Sequence, residues 1–369
     1  MVTITKANAL AGIEGNKVWI VVTDNKRESI APISDKVHVI SLNVNYYEDD
    51  WKGWYCRMKG NIVKGRMHKR EMRDLLNTIM PDIVISTGTS EKFFLPYLNV
   101  KSNPKYIREF HFDKWVRDRA AISLATKGVA KMTDWYEYGW KIKKYDKIVV
   151  LTNEDRQENW KGWDNVVVIP NPMTRKHAYH SLLNNKIAIA VGRFVRQKNF
   201  ASLVRIWSSV VKRDPDWKLQ IWGDCDQKNI LKEQIVSAGL QENVLLMGYS
   251  HNVLAEMEKA SIFVLSSIYE GFGLVIVEAM SVGLPVVSYM CPCGPKDNIK
   301  EGKDGFLIPV GDETLFAERI CELIGDEEKR KKMGENAEVK SKSFSIERII
   351  GMWMTLFSEI QENQNIHKL

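Results

Sequence analysis

The chain has 369 residues, enough for two domains of ordinary size, and its 44% hydrophobic content excludes a disordered or collagen-like polypeptide. No apolar run is long enough to span a bilayer, and no signal-peptide pattern is read at the start. The net charge is +7, and all of the excess lies in residues 1–170, with 28 Lys and Arg against 21 Asp and Glu, whereas residues 171–369 hold 25 of each. The first half is therefore the one expected to meet an anionic surface, acceptor or membrane.

Five cysteines without disulfide-like spacing indicate a reducing compartment and hence a cytoplasmic location. Cys291-Pro292-Cys293 has no second pair to complete a metal site and reads as a turn of small residues.

In chain order, MVTITKANALAG reads as a helix with a glycine stop, followed by the strands KVWIVV and KVHVISL. A doubly wound domain ordinarily begins with a strand and a glycine-rich turn ahead of its first helix. Here the helix comes first, so the N-terminal sheet is expected to lack its first strand. Residues 51–73 hold eight basic residues and one acid, interleaved with Trp51, Trp54, Tyr55, Ile62, Val63 and Met67. That mixture suits contact with an anionic membrane or glycolipid, or equally a solvated helix face. No nucleic-acid-binding motif accompanies it. PDIVIST (Pro81 to Thr87) reads as a short buried strand, KYIREFHFDK follows at 105–114, and DKIVVLTNED reads as a strand ending in a polar turn. VVVIPNPM, Val166 to Met173, marks the boundary between a domain of residues 1–170 and one of residues 171–345.

The second domain alternates strand and helix: KIAIAVGR with NFASLVRIWSSVVKR, WKLQIWG with QKNILKEQIVSAGL, NVLLMG with NVLAEMEKA. Such alternation argues for a parallel sheet covered by helices. Residues 346–369 read as a terminal helix.

The stretch SSIYEGFGLVIVEAM, Ser266 to Met280, organises this domain. It joins a buried strand, SIFVLS, to an apolar helix through a glycine turn, and the free N–H groups of a helix start attract anions. Gly271 and Gly273 allow a ligand close to the backbone. Leu274 and Glu278 share a helix face one turn apart, so Glu278 needs hydrogen-bond donors in an otherwise apolar helix, and vicinal sugar hydroxyls would serve. As isolated residues, Glu270 would be a loop acid and Glu278 a salt-bridged helix acid. A dinucleotide fingerprint is not met, since Ile276 stands where its third glycine belongs. Arg193 and Lys198 follow the strand IAIAVG, which places them in the same crevice as the Glu270 turn. Asp224-Cys225-Asp226 has the form of a metal-binding pair but occupies a turn after WKLQIWG and is set aside as a decoy.

The segment around Glu270 and Glu278 resembles the glutamate-pair signature of retaining family 4 glycosyltransferases, strongly from about Val168 to Asp312 and more weakly on either side. The resemblance implies the GT-B fold, two Rossmann-like doubly wound α/β domains facing a cleft, with the terminal helix crossing back to the first domain. It also implies roles. Glu270 would contact the donor sugar, Glu278 the nucleotide ribose, and the backbone of Gly271, Phe272, Gly273 and Leu274 the sugar and phosphates. Arg193 and Lys198 match the pair that holds the donor diphosphate in place of a divalent metal. Fixed cations aimed at the leaving charge lower the barrier. His111 matches a histidine facing donor and acceptor, although a lone histidine also has a structural reading. Met247, Gly248 and Tyr249 would line the base pocket. The retaining outcome is the family's, since the carboxylate-spacing rule for hydrolases does not apply to a ribose-binding Glu278.

The expected protein is thus a metal-independent retaining glycosyltransferase that needs no cofactor beyond a nucleotide-sugar co-substrate, taken to be a UDP-sugar. Its acceptor would be a glycan or glycolipid in surface polysaccharide synthesis. Peripheral contact with the inner face of the cell membrane is expected, and no nucleic acid. Two rivals are a GT-B-type nucleotide-sugar epimerase and a non-catalytic nucleotide-sugar-binding protein.

Overall fold

A computed structural model describes residues 1–24, 32–49, 54–121, 123–173, 179–224 and 228–366. Helix α1 (Val2–Ala11) stops at Gly12 and is followed by the parallel strands β1 (Val18–Val22) and β2 (Val37–Ser41). The long helix α2 (Trp54–Ile79) buries His68, Met72 and Leu76, spaced four apart along one face. A four-stranded parallel sheet follows: β3 (Ile83–Ser86), β4 (Lys105–Glu109), β5 (Lys147–Val150) and β6 (Val166–Val168), in that spatial order. These strands are rich in β-branched residues, which suit a pleated, buried surface. Between β4 and β5 run α3 (Val116–Ala120), α4 (Leu124–Tyr136) and a π-helical turn, Glu137–Lys141, while α5 (Asn153–Asn159) follows β5.

The pair β1-β2 is a separate sheet, not hydrogen-bonded to β3. The two sheets nevertheless share a core, in which Leu42 and Val44 join Tyr106, Ile148 and Val150. Among the described residues the first element is the helix α1, in keeping with the helix-first order of the sequence.

The second half begins with β7 (Ile187–Val191), α6 (Phe200–Val211), β8 (Lys218–Trp222), α7 (Lys228–Ser237) and β9 (Val244–Gly248). It continues through α8 (Val253–Glu258), β10 (Ile262–Leu265), α9 (Leu274–Ser281), β11 (Val286–Tyr289), α10 (Pro295–Asn298) and β12 (Gly305–Ile308). Its six strands are all parallel, in the order β12-β11-β10-β7-β8-β9. Helix α6 shows why the layers hold. Leu203, Ile206, Trp207 and Val210 recur every three or four residues and are buried against Ala188, Ala190 and Leu219 of the sheet. The chain winds one way from β7 through β8 to β9 and the other way from β10 to β12. The order reverses between β7 and β10, and the carboxyl ends of these two neighbours open a crevice.

Helices α11 (Glu313–Gly325), α12 (Glu327–Ser341) and α13 (Ile346–Ile366) close the chain. Helix α13 returns to the first half. Its Ile349, Trp353, Leu356 and Ile360 pack on Ile107, Val149 and Ile169, and the Lys6 ammonium lies 4.9 Å over the Trp353 ring. A second bridge between the halves is the apolar cluster of Leu151, Phe272, Val277 and Phe344.

Candidate active site

The crevice between β7 and β10 is closed by direct bonds between the segments that follow each strand. Lys198 donates to Glu270 Oε1 across 2.6 Å, and Ser267 donates to the same oxygen at 2.6 Å. Backbone register supports the pair. Ile268 N–H donates to the Gln197 carbonyl (2.9 Å), the Gln197 amide to the Tyr269 carbonyl (2.9 Å), and Ser266 Oγ to the Lys198 carbonyl (2.9 Å). The Lys198 stem runs over Gly192, where an added Cβ would meet it at 3.1 Å. Arg193, at the end of the same strand, is exposed.

The glycine turn leads directly into α9. Gly273 caps it at φ 74°, a left-handed conformation that other residues adopt only with strain. Leu274 is the first residue of α9, and Glu278 lies half-buried one turn in. The Phe272 side chain is buried in the bridging cluster, and its carbonyl accepts from Asn298 Nδ2 at 2.5 Å.

The first half reaches the turn through His111. A Cβ on Gly271 would run into the His111 carbonyl, so only glycine permits this approach of the two halves. Burial pushes the His111 imidazole below its ordinary pKa, assisted by the nearby Lys6 and Arg108 cations and opposed by Glu109, whose Oε1 lies 4.0 Å from His111 Nε2. Glu109 is itself buried and paired with Lys6. A ring neutral at neutral pH follows.

Further bonds lock the halves beside the site. Asp297 caps the start of α5, accepting from the N–H groups of Asn153 (2.7 Å) and Glu154 (3.1 Å). Glu154 in turn accepts from Cys293 N–H (2.9 Å) and Lys296 Nζ (2.7 Å). This explains the Cys-Pro-Cys turn: Cys291 and Cys293 are buried, with thiols raised by burial, and the turn serves to present a backbone donor to Glu154. Among the described residues no group of three or more His, Cys, Asp or Glu is placed to hold a metal ion. Asp224 follows β8, while Cys225 and Asp226 lie outside the described residues.

Tyr249 is 67% exposed and meets His251 edge to face at 5.0 Å, after a strand two places from β7. Lys198, expected on a diphosphate, bonds Glu270. Sequence reasoning missed Ser267, Asn298 and the Glu154, Lys296 and Asp297 set. Ser267, three residues before Glu270, was the one with a local signal.

Comparison with known proteins adds four findings. Residues 174–340 match the family model of group 1 glycosyl transferases. An exopolysaccharide phosphotransferase of Streptomyces coelicolor is 33% identical over 90% of this chain, which spans only 33% of that protein. Among solved structures, a sucrose-phosphate synthase from Thermosynechococcus elongatus superposes with a TM-score of 0.77 at 18% identity, covering 97% of this chain and 92% of the other. Staphylococcus aureus TarM, a mutant of which was solved in complex with fondaparinux, alpha-GlcNAc-glycerol and UDP, gives 0.63 at 24% identity, covering 78% and 58%. The fold is that of the GT-B glycosyltransferases, two Rossmann-like domains.

Proposed function

We propose that this chain, a group 1 glycosyltransferase by residues 174–340, moves a hexose or N-acetylhexosamine with retention from a UDP-sugar to a glycan or lipid-linked acceptor in surface polysaccharide synthesis. The observation that carries the reading is the meeting of Lys198, Glu270 and the α9 start at the strand-order reversal, with His111 opposite. A nucleotide diphosphate suits the cations and the helix start, because both favour negative charge. Relatives support the pathway by name: one acts on exopolysaccharide, and another, from Erwinia amylovora, is an amylovoran biosynthesis glycosyltransferase.

In this reading the anomeric carbon–oxygen bond breaks and its electron pair leaves with the diphosphate. The acceptor oxygen bonds to the anomeric carbon on the same face and passes its proton to a leaving phosphate oxygen. Lys198 and Arg193 stabilise the charge that appears on the phosphates. Glu270 accepts from the sugar hydroxyls, exchanging part of its bond with Lys198 for them, and Glu278 accepts from the ribose. Neutral His111 orients the sugar or the acceptor.

The name of the Streptomyces relative favours a second reading, transfer of a sugar phosphate. The acceptor would then attack phosphorus rather than carbon. The two are separated by the nucleotide released. Incubation with a panel of UDP-sugars and polysaccharide acceptors should release UDP for glycosyl transfer and UMP for phosphosugar transfer. Release of UDP with retained anomeric configuration in the product, by NMR, is expected. UMP release, or an epimerised donor without acceptor, would overturn the proposal. Turnover should persist in EDTA, and a strict manganese requirement would return attention to Asp224 and Asp226.

A further inference from the structure

Helix α4 turns its apolar face to solvent. Buried Ala130 and Asp134 mark the side against the protein, where Arg117 of α3 pairs with both Asp134 and Glu137. On the outer side Leu124, Val129, Met132 and Trp135 are between 60% and 89% exposed. At 3.6 residues per turn they fall within a sector of roughly 140°. Trp140, 64% exposed, continues the surface, its ring 6.5 Å from Trp135. The helix is well begun, since Ser123 and Thr126 form a reciprocal capping box. Its face is therefore a feature of a formed helix.

Within residues 123–144 the exposed charges have one sign. Lys127 and Lys131 lie along one edge of it and are exposed, as are Lys143 and Lys144 beyond Trp140. Lys141 lies over the Tyr97 and Tyr136 rings at 4.4 and 5.4 Å. The acids of residues 123–144 are Asp134 and Glu137, both buried and paired.

We infer that residues 124–144 dock the first domain on an anionic lipid surface. Outward Leu, Met and Trp with lysines at the rim are the chemistry of a helix lying in a membrane interface, where tryptophan sits at headgroup depth and lysine stems reach past it to phosphate. A protein partner fits less well, because lysine is depleted in protein interfaces. The contact is peripheral, since no described helix is long and apolar enough to cross a bilayer. This site differs from the one the basic stretch 51–73 suggested. There Met72 turns inward, Met67 packs against the core and Lys64 is held by the Asn45 carbonyl, while Ile62 and Val63 are 52% and 65% exposed; residues 51–53 and the side chains of 54–59 lie outside the described residues. Trp115, four residues after His111, meets Tyr138 of the same segment at 6.0 Å. Delivery of a lipid-borne acceptor to His111 rests on the glycosyl-transfer reading, whereas the docking does not.

The test is sedimentation of the full chain with vesicles of phosphatidylcholine alone or mixed with phosphatidylglycerol. Binding is expected on the mixed vesicles only, weakening with salt. Two double variants, Trp135→Ser with Trp140→Ser and Lys127→Glu with Lys131→Glu, should each lower the partition coefficient by roughly tenfold or more. All four positions are solvent-exposed, and an unchanged thermal midpoint and UDP affinity would show intact folding. The Ile62→Ser with Val63→Ser variant should bind as the parent does. No binding to mixed vesicles, equal binding by the α4 variants, or a dimer that dissociates when the tryptophans are replaced would each overturn the inference, whether or not the protein transfers sugar.

Discussion

Lys198 Nζ lies 2.6 Å from Glu270 Oε1, and both side chains are largely withdrawn from water, at 15% and 8% exposure. The bond ties the segment after β7 to the segment after β10 across the point where strand order reverses. The cation proposed for phosphate and the carboxylate proposed for a sugar thus hold each other in place.

Loss of one partner should therefore cost stability as well as turnover. Lys198→Met leaves the Glu270 carboxylate buried with the Ser267 hydroxyl beside it, and unfolding free energy should fall by about 3 kcal/mol. Adding Glu270→Gln should recover most of that loss. Turnover should fall by about 10²–10³-fold in the single variant and stay low in the double one. Chemical denaturation and UDP release measure the two effects. Recovery of turnover with stability would make Lys198 a strut rather than a phosphate partner.

Gly271→Ala places a methyl group against the His111 carbonyl, which belongs to β4's following loop and cannot retreat like a flexible side chain. The halves should part slightly, and misplacement of about 1 Å near the reacting atoms costs about 10²-fold in turnover. Small-angle scattering should show a larger radius of gyration. Unaltered turnover would mean that the His111 contact with the turn is dispensable.

The two glutamates should separate by ligand. Glu278→Gln removes a charge-assisted acceptor for ribose hydroxyls, so affinity for bare UDP should drop by roughly tenfold, about 1.4 kcal/mol. Glu270→Gln should leave UDP affinity nearly unchanged and weaken the intact donor or its turnover. Calorimetric titration of both variants with UDP and with UDP-sugar decides the matter. Equal loss of UDP affinity in both would refute the division of roles.

Asp113 supplies a pH signature. It is buried, and desolvation raises its carboxyl from 3.8 to about 6; the nearby Asp155 adds to the rise, and the Arg119 bond at 2.7 Å opposes it without prevailing. Between these two values the folded state holds a proton that the unfolded chain has lost. Its contribution is complete below pH 3.8 and disappears as pH climbs through about 6. Relative to Asp113→Asn, the parent should lose roughly 3 kcal/mol over that window, at 1.36 kcal/mol per unit. A difference in unfolding free energy that stays flat from pH 4 to pH 7 would contradict this.

Much of the architecture is written locally. Alternating β-branched runs and 3.6-residue apolar periods in the second half specify β7 to β12 and their helices, because each element buries a face set by its own sequence. The Glu270 turn was legible for the same reason. A strand, two glycines and an apolar helix within fifteen residues leave little choice of geometry, and the four-residue step from Leu274 to Glu278 follows from helix pitch.

The rest depended on contacts between distant parts of the chain. Lys198 and Glu270 are 72 residues apart, and nothing in either segment specifies that they bond; the parallel register of β7 beside β10 does. Gly271 reads as a permissive turn residue until the His111 carbonyl is found against it. Helix α4 shows the limit most plainly. Its sequence holds both an apolar face and the acid Asp134, and periodicity alone would turn the apolar face inward. Arg117 and Lys92 reverse that orientation by pairing with Asp134 and Glu137 inside the fold, since a buried carboxylate requires a partner. The position of those cations is a property of the tertiary structure, and it sends Met132 and Trp135 outward.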